Sequence, residues 1–137
     1  MPLYLCNTKR DQLDGQAKQR IAHDITQIHC DVTGAPAKFV HVMFFEDAAH
    51  LPLEGKALRV RGSIRKGRSD DQKARIAAAI RSSLARHGKV VTEQADAVIQ
   101  ETPASWVLEG GEIMPEPGEE AAWLEAQAAR GQAPAGR

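Results

Sequence analysis

The residues able to carry chemistry lie in four separate places along the chain. Pro2 follows Met1, and removal of that methionine exposes a secondary amine. An α-amino group titrates near about 7.7–8.0, so it can take or give a proton at neutral pH. Apolar burial or nearby arginines lower that value, and carboxylates raise it. A proline at position 2 is equally compatible with no role. The second place is Ile64–Ser69 (IRKGRS), with Arg65 and Arg68 three positions apart. It falls where a strand is expected to end and a capped helix to begin. A helix start offers free N–H groups to anions, and a guanidinium can hold both oxygens of a carboxylate. Gly67 allows a sharp turn between the two arginines. The segment reads as a carboxylate site or as a solvated basic turn.

His29 is the third candidate. It stands beside an apolar helical stripe, as a hydrogen-bond donor into a cleft at the edge of the core or as an ordinary satisfied edge residue. Glu109 is the fourth, between Trp106-Val107-Leu108 and Gly110-Gly111. A carboxylate in that setting can have a raised pKa and orient a water. Glu101, Glu112, Glu116, Glu119 and Glu120 are close in sequence, and residue type alone does not separate them. His23, His41, His50 and His87 have no ligand spacing, and Cys6 and Cys30 form no CxxC pair. No metal site, cofactor or disulfide is expected.

These groups must be positioned by one compact domain of 137 residues. Eighteen basic residues balance eighteen acidic ones, which argues against a nucleic-acid binder. The start MPLYLCNTKRDQ has no leader pattern, and no run reaches the roughly 20 apolar residues of a membrane span. A cytoplasmic protein without a membrane partner is expected.

Leu3–Cys6 reads as a strand. Ile21, Ile25, Ile28 and Val32 recur at helical spacing from about Asp14 until Gly34 and Pro36. Lys38–Phe45 reads as an interior strand, or as one covered by a helix and a partner subunit. A second cycle begins at Ala57 with a strand. It continues through a helix capped by Ser69 and Gln72 and ended by Gly88, then a short strand over Ala97–Glu101. Trp106–Leu108 is placed at the start of a small hairpin. Two strand–helix–strand cycles predict an α+β fold, a four-stranded mixed sheet with both helices on one face. The other face needs cover, which oligomerisation supplies. After Pro117 the composition changes, predicting a short helix around Trp123 and a mobile tail.

Taken together, MPLYL, AHDITQIH around His29, Arg65–Ser69, Glu101-Thr-Pro-Ala104, Glu109 and Pro115–Gly118 resemble the tautomerase superfamily. The group is the one typified by cis-3-chloroacrylic acid dehalogenase, and the resemblance runs from Met1 to about Trp123. It implies a trimer of βαβ pairs over residues 1–118, followed by a C-terminal segment at 119–137. Pro2 would be the proton-transfer group and Glu109 the activator of water. Arg65 and Arg68, assisted by His29, would bind a small carboxylate substrate. The dehalogenase pattern has a tyrosine where this chain has Val98. The resemblance therefore implies a tautomerase or hydratase of small unsaturated or enol carboxylates. Dehalogenation of cis-3-haloacrylates comes second, and a non-catalytic carboxylate-binding trimer third.

Overall fold

The structure, a computed structural model, describes residues 1–131. Four strands, β1 (Leu3–Thr8), β2 (His41–Glu46), β3 (Leu58–Arg65) and β4 (Ala95–Thr102), form one mixed sheet in the order β2-β1-β3-β4. β1 runs parallel to β2 and antiparallel to β3, and β3 runs parallel to β4. Helix α1 (Gly15–Thr33) connects β1 to β2, and α2 (Asp70–Gly88) connects β3 to β4. The fold is the α+β arrangement of two strand–helix–strand units. A two-stranded hairpin, β5 (Leu108–Glu109) with β6 (Glu112–Ile113), and helix α3 (Glu120–Gly131) complete it. The expected mobile tail lies beyond residue 131, outside the described residues.

Each long helix starts on a polar cap. The Asp14 carboxylate accepts from the Ala17 amide, and Ser69 with Gln72 closes a reciprocal capping box. Asp70 and Asp71 follow in the first turn of α2, where the helix dipole favours acids. Gly34 ends α1 in a left-handed conformation, its amide donating to the Cys30 carbonyl. The α2 end differs from expectation, because Lys89 is the left-handed residue there. Gly88 has another reason to be small. A side chain at that position would meet Leu58 at 2.9 Å.

The buried stripe of α1 is also phased differently. Ile21, Ile25 and His29 are the buried residues, four apart, whereas Ile28 and Val32 lie on its flank. His29, expected at an edge, is only 2% exposed. These residues meet Ile76, Ile80 and Leu84 of α2 and the inward side chains Tyr4, Cys6, Val60 and Ile64 of the sheet. Each large aliphatic group there contributes about 1.5–3 kcal/mol by leaving water.

β2 is an edge strand rather than an interior one. It starts at His41, after a short 3-10 turn at Ala37–Phe39. Its outward residues, with those of its neighbours, form the sheet face away from α1 and α2. Met43, Leu5, Arg61 and Val98 follow one another across all four strands in one row. Met43 and Val98 in that row are exposed. β4 is longer than the expected Ala97–Glu101, because its ladder with β3 extends from Ala95 to Thr102. Among the described residues, no helix is long and apolar enough to cross a membrane.

Candidate active site

The sheet register brings three of the candidate residues to one end. Leu3 pairs with Ser63 in the antiparallel β1–β3 ladder. Pro2 therefore enters β1 at the end of the sheet where β3 finishes at Arg65. Pro2 is buried, and its carbonyl accepts from the His41 amide at 3.0 Å. It lines an open cleft of about 430 Å³ with Met1, His41, Val107, Leu108 and Glu109. Glu109 reaches this cleft on β5, and its carboxylate receives the Met1 ammonium. The amine that begins the chain and the predicted water-activating carboxylate are in direct contact.

Arg65 and Arg68 lie where β3 turns into α2, on either side of Gly67. Gly67 has φ 117°, a region open to glycine but strained for other residues. Both guanidiniums are covered, with side-chain exposures of 2% and 9%. Arg65 donates through one Nη to the Pro115 carbonyl and through the other to Glu120 Oε1 at 2.6 Å. The same carboxylate oxygen lies 3.7 Å from an Nη of Arg68. Burial, then the neighbouring Arg65 charge, lowers the Arg68 pKa from its ordinary value. The Nε of Arg68 is buried with no hydrogen-bond partner among the described residues. Arg68 and Gln72 also reach back to α1, donating to the carbonyls of Thr33 and Val32 at 3.4 and 3.1 Å. A helix leaves its last carbonyls unsatisfied, so these contacts fix the end of α1 against the arginine turn.

His29 sits on that last part of α1 and bonds through Nδ1 to the Tyr4 hydroxyl at 2.7 Å. Tyr4 lies across from Gly62, where any Cβ would fall 2.5 Å from the tyrosine ring. The glycine is what lets the ring lie down and reach the histidine. Burial lowers the His29 pKa, and the charges of Arg68, Arg65 and the chain-start amine lower it further, to about 4. Burial pushes the Tyr4 hydroxyl up. The pair is therefore neutral at pH 7. With Tyr4 donating to Nδ1, the remaining proton of His29 is on Nε2. A neutral imidazole that presents only an N–H can bond an oxygen without adding charge.

The structure thus gathers Pro2, Glu109 and the chain-start amine in one cleft. It gathers Arg65, Arg68 and His29 at the same end of the sheet, outside the residues that line that cleft. Two participants were not singled out from the sequence. Tyr4 carries a signal only in hindsight, as the lone tyrosine on the inward face of β1. Glu120 carries none, being one of several glutamates near a proline-rich turn. Val98, which stands where the dehalogenase pattern has tyrosine, is 38% exposed on the outer face of β4. It has no group to share with Glu109 in hydrogen bonding.

The sequence matches, over residues 1–128, a family model described as "Putative oxalocrotonate tautomerase enzyme". No curated protein matches it. Among solved structures it is similar to N1, a member of the cis-3-chloroacrylic acid dehalogenase family. The TM-score is 0.82 and the identity 28%, covering 96% of this chain and 97% of that one. A fused 4-OT wild type, a symmetric trimer, shares the fold at TM-score 0.70 and 17% identity, covering 82% and 95% of the two chains. So does the macrophage migration inhibitory factor of Toxoplasma gondii, at TM-score 0.67 and 17% identity, covering 80% and 96%. With a family model spanning nearly all of it, the chain belongs to the tautomerase superfamily.

Proposed function

We propose that the chain is a proton-transfer enzyme acting on small unsaturated or enol carboxylates, a tautomerase or hydratase with Pro2 as its acid–base group. The observation that carries this reading is the chain-start amine set against Glu109 in the cleft that Pro2 lines. Trimming of Met1 transfers the amine to Pro2, already buried at the mouth of the cleft. Arg65 and Arg68 take the substrate carboxylate, and His29 Nε2–H supports an oxygen of the same substrate. In tautomerisation, neutral Pro2 accepts the enol hydroxyl proton and returns a proton to carbon, giving the ketone. The arginines stabilise the enolate between the two transfers. In hydration, protonated Pro2 donates to the carbon next to the carboxylate. Glu109 takes a proton from the water adding at the far carbon, so the elements of water are added.

Intact mass of the purified protein is expected to show Met1 absent. Pro2→Ala is expected to lower turnover of phenylenolpyruvate by about 10²–10⁴-fold, the usual range for a lost acid–base group. Full activity in that variant would sink the reading. The similarity to a cis-3-chloroacrylic acid dehalogenase family member favours haloacrylate dehalogenation as a second reading. It predicts chloride release from cis-3-chloroacrylate, and absence of chloride removes it. The exposed apolar side chains Met43 and Val98 on the outer face of the sheet, where Leu5 and Arg61 lie between them, support assembly as a homotrimer, which light scattering tests.

A further inference from the structure

Two buried guanidiniums side by side require an anion, and the chain supplies its own. Glu120, the first residue of α3, lies on Arg65 at 2.6 Å and near Arg68 at 3.7 Å. This is the position a substrate carboxylate needs. We propose that Glu120 is an internal carboxylate ligand that occupies the substrate's seat and leaves it, with α3, when a substrate carboxylate binds. The proposal rests on the reading that Arg65 and Arg68 bind that carboxylate.

Three features make the exchange possible. Glu120 holds the arginines with one oxygen only, because its other oxygen receives the Gly118 amide at 2.8 Å. A free carboxylate can present both oxygens, the geometry a guanidinium binds best. Arg68 also keeps its buried Nε without a partner among the described residues. That is a donor Glu120 does not satisfy and an incoming acceptor can. Finally, α3 is lightly held, having no buried residue of its own. Trp123 touches the ring of Phe39 edge-on at 6.3 Å and donates to the Ile113 carbonyl at 2.9 Å, while Arg130 meets Glu112 at the surface. An element with so few buried contacts opens at low cost. Without substrate, Glu120 neutralises one of the two charges. With substrate, the incoming carboxylate does so, and Glu120 moves to water.

Trp123 is one turn along α3 from Glu120 and reports the movement directly. Trp106 is exposed and outside the site, so Trp106→Phe leaves Trp123 as the only tryptophan. Benzoate, an unreactive monocarboxylate, serves as the probe. Emission from Trp123 is expected to shift to the red as benzoate saturates the Trp106→Phe protein. Glu120→Gln keeps the shape of the contact but removes its charge. It is expected to bind benzoate about tenfold tighter, a difference of about 1.4 kcal/mol. KM for phenylenolpyruvate should fall in parallel with kcat little changed, since only ground-state competition is removed. A folded Glu120→Gln protein with unchanged or weaker benzoate binding overturns the proposal, as does silent Trp123 emission at saturating benzoate. Should that variant not fold, the emission measurement alone decides. Normal enol turnover with a silent Trp123 removes the exchange and leaves the proposed function. A red shift with no turnover of any enol does the reverse.

Discussion

The two ends of the sheet are built alike and equipped differently. Because β1 and β3 are antiparallel, each end receives the start of one unit's first strand, the strand-to-helix turn of the other unit and one helix C-terminus. The helices are both 19 residues long, and their buried stripes correspond position by position. Ile21 matches Ile76, Ile25 matches Ile80, and His29 matches Leu84. One end therefore has an imidazole where the other has an aliphatic chain. The strand start is the chain terminus at the Pro2 end. At the other end it is Ala57, whose amide is spent on the Gln94 carbonyl at 2.9 Å. The turns differ too. Arg65 and Arg68 are covered by Pro115 and Glu120. Arg10 at the opposite turn is exposed and meets Asp47 at 3.6 Å. The two ends share one backbone plan, and what separates them is the burial of a few polar groups at one end, where we propose the site.

The difference between the turns gives the largest expected effects. Arg65→Ala and Arg68→Ala should each lower kcat/KM for enol carboxylates by about 10²–10³-fold, the scale for removing one group that stabilises a developing oxyanion. Arg10→Ala should leave it within about twofold, since an exposed ion pair is worth little. Equal effects at both ends, measured by steady-state kinetics, would erase the distinction.

His29→Leu copies the residue of the silent half into the active one. A folded-state pKa of about 4 lies below the ordinary value of 6.5. As pH falls from 6.5 towards 4, the unfolded chain takes up a proton that the native chain refuses, so stability falls across this window. Above pH 6.5 the contribution is full. The difference corresponds to roughly 3 kcal/mol, and urea midpoints across that window should change less in His29→Leu than in the natural protein. The smallest effect belongs to the caps. Ser69→Ala should cost about 1 kcal/mol in urea unfolding.

The alternation of helix and strand was legible because periodicity, Gly34, and the Ser69 capping box act locally. The arginine pair was legible for the same reason, as a turn between a strand and a capped helix. His29 was found but placed at the edge of the core. Ile28 and Val32 suggested a stripe one position away from the true one, and only packing against the sheet fixes the rotation of a helix. For Lys38–Phe45, apolar residues on both faces left open an interior strand or one covered by a helix and a partner subunit, and the edge position of β2 removes the first of these. Glu120 was illegible, since its importance comes from a contact made 55 residues away in sequence. Nothing near it in the chain announces two guanidiniums.

Gly62 links the halves more tightly than the sheet alone would. It belongs to the second unit, yet the space it leaves is filled by the ring of Tyr4 from the first, which in turn holds His29. Neither unit can be exchanged for a copy of the other, or drift in sequence at this point, without disturbing a proton position in its neighbour. The two units are thus coupled by one side chain that sits in the other's gap.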